Sequence, residues 1–345
     1  MDLSMTYLKE NNLFLIILFA IVFTSCKNNN LPIIEPTLIT EQTPHDTDDP
    51  EIWIDKTNPD KSIIFGTDKD EVNGGVYAFD LDGKIIKEKS LTGLSYPNNI
   101  DLAYDFKLND SLNIDIIGFT EREKNQVRIF SVPDMNMLDK GGFKVFEDEQ
   151  DIAYQRPMGI AFYTSKDNST YFIVSRKEGS VDNYLYQYLL IADSLGVTSK
   201  FVRKFGNFSG KKEIEAIAVD QELGYVYYSD EDHCIRKYYA DPTKGDEEIT
   251  CFGSDNFERD IEGIAIAKYP NKEGYIIVSN QQAHSFSIFD RVTNVFIKEV
   301  NLGTSETDGC DVTTLSLGTK FPNGLFVSMN DNKEFYFHDL KLLNL

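Results

Sequence analysis

The sequence predicts an all-β fold, a six-bladed β-propeller with four antiparallel strands per blade. Three observations carry that prediction. A unit of about fifty residues recurs six times. Each unit divides into short strands with apolar residues at alternate positions. Turns rich in Gly, Asn, Asp and Lys separate them, as hairpins require.

The repeat is clearest in KEIEAIAVD (212–220) and RDIEGIAIA (259–267), which are near copies. Looser copies are DDPEIWID (48–55), NNIDLAYDF (98–106), RPMGIAFYT (156–164) and CDVTTLSLG (310–318). With Asp49, Asp101, Gly159, Glu215, Glu262 and Asp311 as equivalent markers, the units lie 47 to 58 residues apart. A second strand follows in each: 62–67, 112–120, 170–175, 224–229, 274–279 and 324–329. Third strands are expected at 75–81, 126–132, 183–191, 234–240, 285–291 and 334–340. Five units continue into a fourth: IIKEKSL, FKVFE, KFVRKFG, EEITCFG and VFIKEVNL. The sixth ends after its third strand. Residues 31–40, LPIIEPTLIT, are therefore expected to supply the missing outer strand and close the ring, which removes an exposed edge. A pair of β-sandwiches is the alternative, and the even period disfavours it.

The domain expected from these units covers 37–345. Before it, LFLIILFAIVF (13–23) is too short for a bilayer span of about 20 residues and has the character of a secretory h-region. Thr24-Ser25-Cys26 follows, as at a bacterial lipoprotein cleavage site. Residues 1–26 then read as a lipoprotein signal with Cys26 as the lipidated residue, and 27–36 as a tether. An ordinary signal peptide and an uncleaved anchor are the alternatives. The reading implies an extracytoplasmic protein, lipid-anchored to a bacterial membrane on its periplasmic or outer side. Cys234 and Cys251 fall on neighbouring expected strands, so either a disulfide or buried thiols would fit. No Cys/His spacing of a zinc site is present.

The 345 residues carry a net charge of -22, which argues against nucleic acid and anionic membrane surfaces as partners. At 41% hydrophobic and 12% aromatic the chain can bury a large core. The charge suits a cation binder, or simply a soluble extracytoplasmic protein.

Propeller topology places the loop before strand one and the loop after strand two on one face. Before the first strands stand Asp46, Asp48, Asp49, Asn98, Asn99, Asp101, Arg156, Glu215, Asp260, Glu262, Asp308 and Asp311. After the second strands stand Lys69, Glu121, Arg122, Arg176, Lys177, Asp230, Glu231, Asp232, Gln281, Asn330 and Asp331. So many hard oxygen donors on one face suit Ca²⁺. The four histidines provide poorly for softer metals. Any single loop carboxylate is ordinarily solvated, but Asp260 and Glu262 flank Ile261 at a channel strand, where a carboxylate must be paired, protonated or metal-bound. Lys69, Arg122 and Lys177 follow three consecutive second strands. They are either rim salt bridges or a converging set that recognises phosphate. Bound Ca²⁺ would reconcile a polyanionic ligand with so acidic a chain.

DDPEIW, the lysine of GTDKD, PNNIDLAYDF, RKEG, IEAIAVD, SDED, DIEGIAI and TDGCDV together resemble the β-propeller phytases, calcium-dependent alkaline phosphatases of phytate. The resemblance covers about residues 40–330, all six expected blades. It implies Ca²⁺ ligands at Asp49, Glu215, Glu231, Asp260, Glu262, Gln281 and Asp308, then Asp48, Asp101 and Asp311. It implies phosphate-holding cations at Lys69, Arg122 and Lys177. Met158 stands where the family often has Tyr, with Arg156 as a candidate substitute contact. The expected reaction needs no protein nucleophile. Glu215, Glu231 and Glu262 would hold several Ca²⁺ ions over the attacking water, and the Lys/Arg trio would neutralise the phosphate. The expected partner is calcium phytate, met by a monomer that touches membrane only through its N-terminal lipid. A lactonase-like calcium propeller and a non-catalytic surface-binding propeller are the rivals. The former would carry few basic residues on the metal face.

Overall fold

Residue alternation along each segment gives strands with one face buried on either side, and the chain winds them into six four-stranded antiparallel sheets. The computed structural model describes residues 31–193 and 196–345. The 13–23 run, Cys26 and the start of the tether lie outside the described residues. Blade one is Thr47–Trp53, Ile63–Asp68, Gly74–Phe79 and Leu91–Leu94. Blade two is Pro97–Asn109, Leu112–Glu121, Gln126–Val132 and Phe143–Lys144. Blade three is Pro157–Thr164, Thr170–Arg176, Asp182–Asp193 and Gly196–Asn207. Blade four is Ile217–Asp220, Tyr225–Asp230, Cys234–Tyr239 and Thr250–Phe252. Blade five is Ile264–Lys268, Gly274–Asn280, Ser285–Asp290 and Phe296–Val300.

Blade six takes Cys310–Thr313, Leu325–Asn330 and Glu334–Asp339 from the end of the chain and Leu38–Ile39 from the beginning. Leu38 pairs with Phe337 and Ile39 with Tyr336, so the ring closes as the sequence predicts. Residues just before that strand are also part of the ring: Ile33 bridges Asn301 of blade five. The fourth strand of blade one starts later than expected. Ser90 Oγ accepts the N–H of Ala78 at 3.0 Å and donates to the carbonyl of Ile86 at 2.9 Å, taking over the ladder bond that a strand at 85–91 would make. Lys87–Lys89 becomes a 3₁₀ turn instead. Cys234 and Cys251 form a disulfide between the third and fourth strands of blade four, and Cys310 is a buried free thiol.

The hydrophobic core is six clusters, one at each blade junction. Phe286 of blade five meets Phe326 of blade six edge to face at 5.2 Å, for example. Each fully buried Ile, Val or Phe contributes about 1.5–3 kcal/mol, so the ring is held at every junction. Polar pins add to this on the face where the first strands end. Arg291 of blade five is fully buried; its Nε and Nη2 both donate to the Asp220 carboxylate of blade four at 2.6 Å. Its remaining donors reach Glu222 at 2.9 Å and the carbonyl of Glu273 at 3.2 Å. Removing one partner strands the other charge in the interior. Arg291→Met is therefore expected to destabilise the fold by about 3–5 kcal/mol in urea unfolding. A loss under about 1 kcal/mol would show that the pin contributes no more than a surface pair.

Candidate functional site

One short motif repeats at the end of every second strand: TDK (67–69), TER (120–122), SRK (175–177), SDE (229–231), SNQ (279–281) and MND (329–331). Its third residue donates a main-chain N–H to the loop that leads into the same blade. Lys69 donates to Asp46 at 2.7 Å, Arg122 to Tyr96 at 3.0 Å and Lys177 to Arg156 at 2.8 Å. Glu231 donates to Glu213 at 3.2 Å, Gln281 to Asp260 at 3.3 Å and Asp331 to Ser305 at 3.2 Å. The middle residue caps the same loop in five blades. Asp68 accepts from the N–H of Asp46, Glu121 from Ser95, Asp230 from Ser209, Asn280 from Glu258 and Asn330 from Ser305. Arg176 takes this place in blade three, fully buried among Phe146, Tyr184 and Tyr186. The first residue's hydroxyl reaches the next blade: Thr120 to Met158, Ser175 to Ile214 and Ser279 to Thr307, each at 2.7 Å. Glu121, Arg176 and Asp230 thus support the face and do not line it.

Strand register then defines which first-strand residues are equivalent. Pro50, Ile100, Ile160, Ile217, Ile264 and Cys310 pair with the residue three before the end of each motif. Two positions earlier lie Asp48, Asn98, Met158, Glu215, Glu262 and Asp308, the inner ring of the mouth. The motif ends, Lys69, Arg122, Lys177, Glu231, Gln281 and Asp331, form a second ring. This corrects the sequence alignment: Glu215 and Glu262 correspond to Asp48 and Asp308, not to Asp49, Asp101 and Asp311. One position after the reference are Glu51, Asp101 and Asp311, with Ala161, Ala218 and Ala265 in the other blades.

Around the inner ring the carboxylates of blades four and five crowd together. Ligand atoms of Glu213, Glu215 and Glu231 lie within 4.8 Å of one another, as do those of Glu231, Asp260 and Glu262. Glu231 is 0% exposed and neither of its oxygens has a hydrogen-bond partner. Burial, then the charges of Glu215 and Glu213, push its carboxyl up to about 10. Burial and Asp48 raise Glu215 to about 7, and burial raises Asp48 and Asp308 to about 6. Glu262 is held well above the usual range by burial and by Glu231. Several hard oxygens with unmet valence, converging in a buried spot, fit a hard divalent cation.

The cations meet this cluster from blades one to three. Lys69 pairs with Asp308 and with Asp48 at 3.3 Å, joining blades six and one. Arg122 lies over the Tyr96 ring at 4.1 Å and donates to Asn98 Oδ1. Asn98 Nδ2 in turn donates to Glu215 Oε1 at 2.7 Å. Lys177 pairs with Glu213. Arg156 stands apart, largely exposed and paired with Glu123 at 3.3 Å. Met158 is fully buried, and its carbonyl accepts from Thr120. Gln281 donates to Asp308 at 2.8 Å, and Gln282 bridges Gln281 and Asp260.

Asp49, Asp101 and Asp311 line a different space, the central channel, with Glu51; its cavity measures about 500 Å³. An innermost strand has no neighbour on its channel side, so its N–H groups need acceptors. Asp49 accepts from Ile100 at 3.1 Å, Asp101 from Phe162, and Asp311 from Ile52 at 3.0 Å. Each carboxylate therefore ties its own blade to the next. Gly309 lets Asp49 approach: a Cβ there would stand 2.0 Å from Asp49 Oδ1. Gly159 does the same for Glu215, whose carbonyl would be 1.8 Å from an added Cβ.

Sequence reasoning missed Glu213, Asn98 as a bridge, Lys212 and Glu51. Glu213 was detectable, because residues i and i+2 share a side in extended backbone and Glu215 is itself a candidate ligand. Asn98 needed the register.

An acidic cluster set against cations at one mouth of a six-bladed propeller is an arrangement suited to an enzyme acting on an anion. A family model described as Phytase matches residues 28–335. The chain belongs to the phytase family. The 3-phytase of Bacillus subtilis (strain 168) is 32% identical over 318 residues, spanning 86% of this chain and 78% of that relative. Among solved structures, the WD40 β-propeller domain of Doa1 is similar with a TM-score of 0.50 at 10% identity, over 88% of this chain and 95% of that one. That likeness concerns fold alone.

The raised carboxyls set a direction for stability against pH. Without metal, native Glu215 holds its proton to about pH 7 and Asp48 to about 6, against ordinary values of 4.5 and 3.8. The native state binds more protons than the unfolded chain in that window, so stability falls as pH rises through it. Denaturant midpoints in chelator are expected to be lower at about pH 8 than at about pH 5. A flat profile would contradict the crowding of buried carboxylates.

Proposed function

We propose that this protein releases phosphate from phytate, a polyanionic phosphomonoester, in a calcium-dependent reaction with water as the nucleophile. One juxtaposition supports this most directly. Glu231, buried with neither oxygen hydrogen-bonded, sits among carboxylates at the same mouth that carries Lys69, Arg122 and Lys177. The family and the 3-phytase relative supply the substrate class. Glu213, Glu215, Glu231, Asp260 and Glu262 would hold Ca²⁺, with Asp48, Asp308 and Gln281 at the edge. Bound Ca²⁺ supplies an acidified water and counter-charge for the phosphate oxygens.

The chain's own groups bind and orient. Lys69, Arg122 and Lys177 take phosphate oxygens, and the planar guanidinium of Arg122 is held by Tyr96 below and Asn98 at its edge. A substrate with several phosphates can anchor one while another reacts, which supplies orientation. Cationic groups at three ring positions do not suit the lactonase alternative. Asp49, Asp101 and Asp311 serve the channel, each with an oxygen spent on a neighbouring blade.

On this proposal the enzyme acts outside the cytoplasm, anchored by a lipid on Cys26. The Cys234–Cys251 disulfide supports an oxidising compartment. Cys26→Ser is expected to move the protein from the membrane to the soluble fraction, with phosphate release unchanged. Retention in the membrane would refute the lipid anchor.

The activity test is phosphate release from calcium phytate at near-neutral pH, with and without chelator. Release in excess Ca²⁺ and its loss in chelator are expected; no release with Ca²⁺ present would sink the proposal. Glu215→Gln is expected to lower turnover by about a hundredfold or more with the far-UV circular dichroism spectrum intact. Full turnover in that variant would remove Glu215 from the machinery.

A further inference from the structure

Lys212 belongs to neither ring of the mouth. It stands on the loop into blade four, and both its neighbours are tied to the loop that carries Glu231. Lys211 Nζ donates to the carbonyl of Asp232 at 2.6 Å, and the carbonyl of Glu213 accepts the N–H of Glu231 at 3.2 Å. The backbone at 212 thereby runs beside the acidic cluster. Its ammonium pairs with Asp260 and lies 3.7 Å from Glu231 Oε2. Those two carboxylates, with Glu262, make up the group whose oxygens converge within 4.8 Å.

Exposure separates Lys212 from Lys69. Its side chain is 40% exposed, against 9% for Asp260 and 0% for Glu231. Lys69 is 18% exposed and sits among Asp46, Asp48 and Asp308. Lys212 therefore covers its carboxylates from the solvent side, on a long flexible stem with water to retreat into. The ammonium sits on Asp260 Oδ1 and Gln282 donates to Oδ2, so a divalent cation entering the group competes with Lys212 for Oδ1.

We propose that Lys212 is an exchangeable counter-ion of the Glu231, Asp260 and Glu262 group. It neutralises these carboxylates while no metal is bound and swings out when a divalent cation enters, so it sets the affinity for that cation. The inference rests on the calcium reading above. It adds a competitor that the chain carries for its own metal site. Breaking the lysine's ion pairs opposes every binding event, so removing the charge tightens binding and weakens the metal-free fold.

The test is calorimetric titration of Ca²⁺ into the metal-stripped full chain, beside melting curves in chelator and in excess Ca²⁺. Lys212→Met is expected to bind Ca²⁺ about tenfold more tightly than the parent, the scale of one partly screened ion pair. Lys212→Arg, which keeps the charge, is expected to stay within about twofold of the parent. Lys212→Met is also expected to melt below the parent in chelator, with the gap closing or reversing in Ca²⁺. Lys212→Gln repeats the comparison with a neutral polar side chain. Equal or weaker Ca²⁺ binding by both neutral variants, with the parent binding normally, overturns the counter-ion role alone. So does an arginine variant that behaves like the neutral ones. No Ca²⁺ binding by the parent overturns both this role and the calcium reading.

Discussion

The structure depends on a main-chain hydrogen bond made six times. After each second strand, one N–H closes onto the loop that leads into the same blade. Because the bond uses backbone, it places no demand on the side chain that it positions. The six equivalent sites accordingly hold Lys69, Arg122, Lys177, Glu231, Gln281 and Asp331. A fixed frame with free side chains is what lets one mouth carry cations on three blades and oxygen donors on the other three. The residue just before each of these positions holds the loop from the other side, through a buried acceptor in five blades.

This frame gathers like charges where they repel. Glu231 lies beside Glu215 and Glu262, and burial denies all three the screening of water. The cost is offset locally by positive groups: Lys69 between Asp48 and Asp308, Lys177 on Glu213, Lys212 on Asp260, and Arg122 through Asn98 to Glu215. It is offset globally by six apolar junctions and by pins such as Arg291–Asp220 on the far side. The channel carboxylates show the other fate open to an acid near the axis. Asp49, Asp101 and Asp311 satisfy the free edges of innermost strands and hold blade to blade, a structural task assigned by position and not by residue type.

The architecture was legible because alternation and turn chemistry are local. Strands two and three of each blade stand close to where the pattern puts them, and LPIIEPTLIT contains the closing strand. Blade one shows the limit: whether Ser90 would supply a ladder bond through its hydroxyl cannot be read from IIKEKSL. The shared face was legible as a set of loops, but the correspondences between blades were wrong. DDPEIW and IEAIAVD look alike, and the eye aligns Asp49 with Glu215. Pairing with the second strand aligns Asp48 with Glu215 instead. A shift of one residue turns a side chain to the opposite side of the strand.

By itself the sequence determined the class of fold, the six-fold repeat, the closure by the N-terminal segment and the chemical character of one face. These follow from periodicity, turn residues and charge, all of which are properties of short stretches. Only the tertiary structure decided which acids share a site. Strand register sent Asp101 and Asp311 into the channel and kept Glu215, Glu231 and Glu262 at the mouth. Loop packing brought Glu213 and Lys212 to them, and the closed ring made Asn98 of blade two the link to Glu215 of blade four. Contacts between residues more than a hundred positions apart are fixed by how blades stack, and no local pattern in the chain encodes that distance.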